Sequence, residues 1–404
     1  MHRVAITGLG CVSALGLDAA SFWSALVAGR SAIGRLTTLP TESLNVRIGA
    51  EVRDYDPGRF FDPKQLTLLD RFAQFGLLAA REAVRDAGLD FSGPRAAETA
   101  VVLGSAAGGK TSDDEAFLRL YGNKEPRVHP AVIPRVMLSS GVSHVTIDLG
   151  IRGPAFAVSS ACSSASHAIG QAFWMVRHGM VRAALAGGSE ATFTVGMMKA
   201  WESLRVLAPD TCRPFSLGRG GMVLGEGAGV VVLEPLEDAR SRGAEIYAEL
   251  AGFGMSADAD HMVQPSAAGA ALAIEAALKD AKMSSSQISY VNAHGTGTPS
   301  NDATESSAIH RVFGRHAEQL AVSSTKSMHG HALGASGALE LAATLLAMRH
   351  GRVPPTANFE APDADCNLDC VPNTSRTMEV SAAISNSFAF GGLNAVLAVR
   401  KPSF

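Results

Sequence analysis

The sequence predicts an α/β fold with mixed sheets, arranged as two similar halves. Three observations carry that expectation. Short apolar runs that read as buried strands alternate with longer segments of helical periodicity. The alternation restarts after about Ser241. Glycine is abundant, 41 of 404 residues, which implies many tight turns and close backbone contacts. A chain of this length suits two core-sized units or one large duplicated domain. The expected division is 1–240 and 241–404, although no clear sequence repeat accompanies it.

In order, Val4–Thr7 reads as a short buried strand, residues 8–16 as a turn-rich stretch, and Asp18–Ala28 as a helix. Residues Gln65–Ala87 carry apolar side chains at helical spacing and stop at Gly88. Ala100–Leu103 is a second strand. Residues 108–134 mix charge, glycine and proline, and read as a long functional excursion. Ala155–Val158 is a strand and Ser163–His178 a helix, followed by strands at Ala183–Ala186 and Gly229–Leu233. In the second half, strands are expected at Tyr247–Gly252, Ile288–Ala293, Leu320–Ser323, Ala382–Asn386 and Ala395–Arg400. Helices are expected at Ala267–Ala281, Asp302–Phe313 and Ala335–Arg349.

Composition narrows the class of function. Apolar residues make up 47% and charged residues 18%, enough for a large buried interior. The formal net charge of −3 gives no reason to expect nucleic-acid binding. The five cysteines are odd in number and form no CxxC pair, unlike a disulfide framework or a zinc site. The opening residues MHRVAITGLG lack a charged segment followed by an apolar one, so no signal peptide is expected. No apolar run reaches the ~18 residues that a membrane span needs. A cytoplasmic protein is the resulting expectation.

Four motifs stand where chemistry is commonly placed. Ser159-Ser160-Ala161-Cys162-Ser163-Ser164-Ala165 joins a strand to a helix, which sets Cys162 at a helix N-terminus. The partial positive charge there favours thiolate, and the small neighbours admit a bulky thioester. Alone, Cys162 reads equally well as a buried structural cysteine. Asn292-Ala293-His294-Gly295-Thr296-Gly297-Thr298-Pro299 carries a histidine from a strand end into a loop, a common catalytic position, or else one that only hydrogen-bonds within its loop. Ser323 to Gly337 holds Lys326, His329 and His331, with Glu340 on the helix that follows. The two histidines lack a carboxylate or cysteine at ligand spacing, so no metal is expected. In Asn386-Ser387-Phe388-Ala389-Phe390-Gly391-Gly392-Leu393-Asn394, paired glycines after a strand permit a turn that aims an N–H at an oxyanion, or an ordinary turn.

Two glycine-rich segments are decoys. Gly8-Leu9-Gly10 follows a strand, but Ser13 stands where a dinucleotide fingerprint needs its third glycine. Residues 225–229 lack the Lys-Ser/Thr of a phosphate loop and read as close backbone packing.

Taken together, these residues resemble the 3-oxoacyl-acyl-carrier-protein synthases, especially the type II elongating enzymes. The resemblance spans essentially the whole chain, from Val4-Ala5-Ile6-Thr7-Gly8-Leu9-Gly10 to the Phe-Gly-Gly turn. It implies the thiolase-like fold, five layers αβαβα with two duplicated halves, the first bearing the nucleophile and the second the two histidines. It implies Cys162 as the acyl-accepting nucleophile, and His294 and His331 as the pair that drives malonyl decarboxylation. Lys326 and Glu340 match the charged residues that organise those histidines. The N–H groups of Cys162 and Phe390 match the oxyanion hole, the Phe390 ring matches the gate, and Thr296 and Thr298 match positions that hold the pantetheine arm. No resident cofactor is implied, because the 4'-phosphopantetheine is carried by the partner, an acyl carrier protein. The substrates are acyl and malonyl thioesters, and the chain pairs with itself or with a homologous chain-length factor. Lys64 and Arg205 lie near positions where relatives meet the acidic carrier, or are simply solvated charges.

Departures from the family pattern are informative. The usual Gly-Phe-Gly-Gly-Thr turn here reads Ala389-Phe390-Gly391-Gly392-Leu393, which is expected to alter motion of the gate. Ala107 stands at the pocket floor in place of a branched residue, and Val132 and Trp201 replace common phenylalanines, which implies a reshaped pocket. The stretches 201–215 and 358–372 resemble specialised branches, including nodulation-type and polyene-type ketosynthases. Plain thiolases use a second cysteine as base where this chain has His331, and non-catalytic chain-length factors lack the nucleophile that Cys162 supplies.

Overall fold

The computed structural model describes residues 1–402. The first half runs β1 (Val4–Ser13), α1 (Arg71–Ala87), β2 (Thr99–Gly104), α2 (Ser140–Leu149), β3 (Ala155–Val158), α3 (Ser164–Arg177), β4 (Ala183–Glu190) and β5 (Gly227–Pro235). The second half repeats that sequence of elements: β6 (Ala248–Ala257), α4 (Ala267–Ala281), β7 (Tyr290–Asn292), α5 (Pro299–Phe313), β8 (Ala321–Ser323), α6 (Ser336–His350), β9 (Ala382–Ala389) and β10 (Leu393–Arg400).

Strand order is the same in both halves, β3-β2-β4-β5-β1 and β8-β7-β9-β10-β6. So is direction. The outer three strands of each set pair in parallel, and the two nearer the middle add antiparallel. The two sets meet edge to edge where Val4, Ala5 and Ile6 of β1 pair with Leu250, Glu249 and Ala248 of β6. Packing then gives five layers. Helices α1 and α2 cover one face of the first sheet, and α4 and α5 cover the outer face of the second. Helices α3 and α6 lie between the sheets and pack on each other. Every residue of α6 from Ser336 to Met348 is buried, as expected of a helix enclosed on all sides.

Several boundaries differ from the sequence expectation for identifiable reasons. The stretch 8–16 is not mainly a turn: β1 continues to Ser13. Its glycines serve packing. A Cβ on Gly8 would lie 2.2 Å from Ala83 O, and one on Gly10 2.0 Å from Ala79 O, so α1 can press onto β1 only over bare backbone. The expected helix Gln65–Ala87 is two helices, Pro63–Leu66 and α1. The break falls at buried Asp70, which caps α1 by accepting from Phe72 N–H and ties in the excursion by accepting from Thr111 Oγ1 and Ser112 N. That excursion carries helices Lys110–Phe117 and Val132–Val136, and α2 and the helix Val195–Ser203 complete the first half.

Replacing Gly10 by Ala is expected to drive a methyl group into the backbone of α1 and to destabilise the fold by about 1–3 kcal/mol. Chemical denaturation with unchanged m-value is the check.

Candidate active site

Cys162 and the two site histidines meet at the seam between the halves. They line one cavity of about 110 Å³, together with Trp201, Thr296, Thr298 and Phe390. Cys162 follows β3 through a sharp elbow in which Ala161 adopts φ +49°, a strained value for a side-chain-bearing residue. Serines hold the elbow. Ser164 Oγ donates to Ala161 O at 2.6 Å and accepts from Ser160 N at 2.9 Å, and Ser163 Oγ lies 2.8 Å from Leu393 O, across the seam.

The helix N-terminus beneath Cys162 does not make it acidic. Burial pushes its thiol up to about 12, against the opposing pull of Lys326 and of the Phe390 N–H that reaches the sulfur. The expectation of a lowered pKa is thus reversed in the unliganded enzyme, because removal from water outweighs the helix field at a group only 7% exposed.

His294 leaves β7 in a buried loop. Its own N–H and that of Gly295 donate to the two oxygens of Glu305 at 2.8 and 2.7 Å. Lys326 Nζ donates to His294 O at 2.6 Å and lies 3.4 Å from His294 Nδ1, and it forms an ion pair with Glu340 on α6. His331 donates its backbone N–H to Val223 O at 2.7 Å, its Nδ1 lies 2.8 Å from Ser336 Oγ, and its Nε2 has no protein partner. The His294 and His331 rings stand edge to face, 5.4 Å apart at 85°. Burial first, and the Lys326 charge second, hold both imidazoles well below their ordinary pKa, so both are neutral at pH 7. His329 is separate: it faces the core, with Nε2 2.9 Å from Thr325 Oγ1 and its ring 6.0 Å from Phe22.

Phe390 sits in the turn between β9 and β10. Gly391 at φ +81° and Gly392 at φ +67° take the left-handed conformations, whereas Ala389 pairs with Leu393 at the strand end without positive φ. The alanine therefore costs nothing in this state, and conformational freedom resides in the two glycines. The turn is tied to the 258–265 loop by Gly391 N to Met262 O at 2.7 Å and Asp258 N to Gly392 O at 3.0 Å. Thr296 and Thr298 hydroxyls lie 2.9 Å from each other on the cavity wall.

Two expected pocket residues are not brought to this cavity. Ala107 is held instead by its N–H to Glu190, and Val132 opens a half-buried helix in the outer excursion. Neither is among the residues that line the cavity at Cys162. Lys64 and Arg205 are exposed, Lys64 on the short Pro63–Leu66 helix and Arg205 just beyond the helix Val195–Ser203.

Three buried carboxylates escaped sequence reasoning. Glu305 holds the His294 loop. Asp302 accepts from Gly297 N and Phe215 N. Glu190 accepts from Ala106 N, Ala107 N and Gly334 N, joining the loop after β2 to the turn after His331. The available signal was an acid closing an otherwise apolar and small-residue strand, and acids three apart in the first turns of α5.

A five-layered fold with a cysteine elbow facing two histidines defines the thiolase-type condensing enzymes. Comparison with known proteins narrows this. Residues 1–239 match the beta-ketoacyl synthase N-terminal domain and residues 247–360 its C-terminal domain, and the chain belongs to the beta-ketoacyl synthase family. It is 48% identical over 400 residues to Nodulation protein E of a Rhizobium species, covering 99% of each chain. It is 42% identical over 409 residues to 3-oxoacyl-[acyl-carrier-protein] synthase 2 of Synechocystis, covering 99% of this chain and 98% of that one. The solved ishigamide ketosynthase/chain length factor superposes with a TM-score of 0.95 at 35% identity, over 100% of both chains.

The depressed histidines make stability pH-dependent. The unfolded chain protonates them below about 6.5 and the folded chain does not, so stability falls as pH drops below that value. Between pH 7.5 and 5, His331→Gln is expected to lose less stability than the native sequence. Urea denaturation at the two pH values is the check.

Proposed function

We propose that the enzyme joins an acyl group held on Cys162 to a malonyl unit on an acyl carrier protein, releasing carbon dioxide and a 3-oxoacyl carrier protein. The observation that carries this reading is the convergence of one cysteine and two neutral imidazoles, all buried, on a single cavity.

In the first step the Cys162 sulfur attacks an acyl thioester and displaces the carrier thiol. The resting thiol is protonated, so its proton is lost as the bond forms, and the departing pantetheine sulfur gains one. Malonyl thioester then occupies the same cavity. Its carboxylate carbon–carbon bond breaks, carbon dioxide leaves, and the electron pair passes to the thioester oxygen as an enolate. Lys326 has only protons to offer, so His294 Nδ1 accepts and the ring proton lies on Nε2. Donation by Ser336 Oγ to His331 Nδ1 likewise leaves a proton on the unpartnered Nε2. Two N–H donors are then available to the enolate oxygen, in a site where water does not compete. The enolate carbon attacks the acyl carbonyl, the N–H groups of Cys162 and Phe390 hold the tetrahedral oxyanion, and collapse expels the Cys162 sulfur. Lys326 and Glu340 position the histidines, and Thr296 and Thr298 hold the pantetheine arm. That arm arrives with each substrate, so the enzyme needs no resident cofactor.

The partners we infer are an acyl carrier protein and a second chain of the same fold, identical or homologous. Strand β3 is a free sheet edge with Ala155 and Phe156 exposed. Beside it, through α2, the excursion exposes Phe117 (51%), Tyr121 (73%) and Ile133 (68%). An unpaired edge flanked by apolar side chains is the kind of surface that a second sheet covers. No helix among the described residues is long and apolar enough to cross a membrane.

Intact-mass spectrometry is expected to show acylation from acyl carrier protein and its complete loss in Cys162→Ala. Cys162→Gln is expected to release carbon dioxide from malonyl carrier protein without condensation. Acylation of the alanine variant would displace Cys162 from its role. In the Cys162→Gln background, the double change Lys326→Met with Glu340→Gln removes the charge that helps keep the imidazoles neutral. The acid limb of the decarboxylation profile, read as carbon dioxide release against pH, is expected to move to higher pH.

A further inference from the structure

Two of the residues lining the cavity carry a buried side-chain nitrogen without a hydrogen-bond partner: His331 Nε2 and Trp201 Nε1. The first has an assigned acceptor in the enolate oxygen. The second has none. On the same wall, Thr296 and Thr298 bond each other and Asn394 Nδ2 donates to Asp258. Burying an indole N–H without an acceptor is unfavourable, and a tryptophan normally finds one. Trp201 closes the helix Val195–Ser203 and packs with Cys162, Phe193, Met198 and Leu333, with its ring 6.0 Å from the Phe390 gate. That places it in the apolar cluster around the nucleophile.

We propose that the Trp201 indole N–H donates to an oxygen on the acyl chain carried by Cys162, so that the preferred acyl group bears a keto or hydroxyl oxygen and is not a plain hydrocarbon. The inference rests on the condensing reaction given above. A site that supplies a buried donor discriminates against chains lacking the acceptor, because the donor is then left unpaired.

The test uses matched pairs of acyl-pantetheine thioesters that differ in one methylene replaced by a carbonyl at successive chain positions, and follows acylation of Cys162 by intact mass. The native enzyme is expected to favour the keto member at one position by about tenfold or more in kcat/KM, and Trp201→Phe to bring that ratio to within about threefold of unity, whatever its absolute rate. Ready acylation by all donors without discrimination, or discrimination that survives in Trp201→Phe, overturns this assignment alone. A uniform loss in the variant for keto and hydrocarbon chains, absent with ethanethiol thioesters that lack the arm's amides, also overturns it by placing the acceptor in the arm. A native enzyme that takes no acyl group from any donor overturns both this inference and the reaction beneath it.

Discussion

The Lys326–Glu340 ion pair lies wholly out of water between the two sheets, and the site is built around it. An ammonium and a carboxylate in such a place are tolerated only when paired and further hydrogen-bonded, and removing one partner from a buried pair typically costs about 3–5 kcal/mol. Here the remaining donors of Lys326 are turned to His294, while Glu340 Oε2 has no partner. Lys326 donates to the carbonyl of His294 and lies beside its Nδ1, which fixes the ring's orientation and its tautomer together. The same charge, acting through a medium that screens poorly, adds to burial in keeping both imidazoles neutral. One buried cation thus sets position, protonation state and hydrogen-bond direction.

A second constraint follows from where the loops run. The segments bearing His294, Thr296 and the turn after His331 are irregular and buried, so their backbone N–H groups have no ladder partner and no water. Glu305 accepts two of these N–H groups, while Asp302 and Glu190 accept one each and add donors from Phe215 and from Ala106 and Ala107. Burial pushes all three upward, Glu190 to about 7, and the donors they gather oppose that shift. The loops are consequently stapled to strand β4 and helix α5, which holds the imidazoles in place without direct contact between staple and substrate.

Much of this was legible before the fold was known. The cysteine elbow, both histidine loops and the Phe-Gly-Gly turn fall where strands give way to helices or turns, and local pattern marks such junctions well. What escaped was non-local. The glycines of β1 read as turn formers because their reason lies on α1, some seventy residues later in the chain. The Asp70 break was hidden because its side chain closes one helix and tethers a distant excursion at once. The Cys162 thiol was misjudged because a helix N-terminus can be read from sequence and desolvation cannot. The carboxylate staples looked like ordinary helix and strand residues, since only the folded loops reveal which N–H groups need them.

The repeated topology explains why the chemistry sits where it does. Strands β3 and β8 occupy equivalent places in their halves, and each feeds the segment that leads into a central helix, α3 or α6. The first half places Cys162 at the start of α3, and the second places Lys326 and His331 ahead of α6. Because α3 and α6 pack on each other between the sheets, the two segments are brought to one end of a shared layer. Cys162 and the two site histidines therefore belong to different halves, and their separation is fixed by how the halves dock. The β1–β6 seam helps to set that docking, reinforced by Arg3 and Arg400 converging on Glu249, a carboxylate held below its ordinary pKa by those two partners despite burial. The seam fixes that registry, while the turn beside the site relies on left-handed conformations that Gly391 and Gly392 adopt without strain.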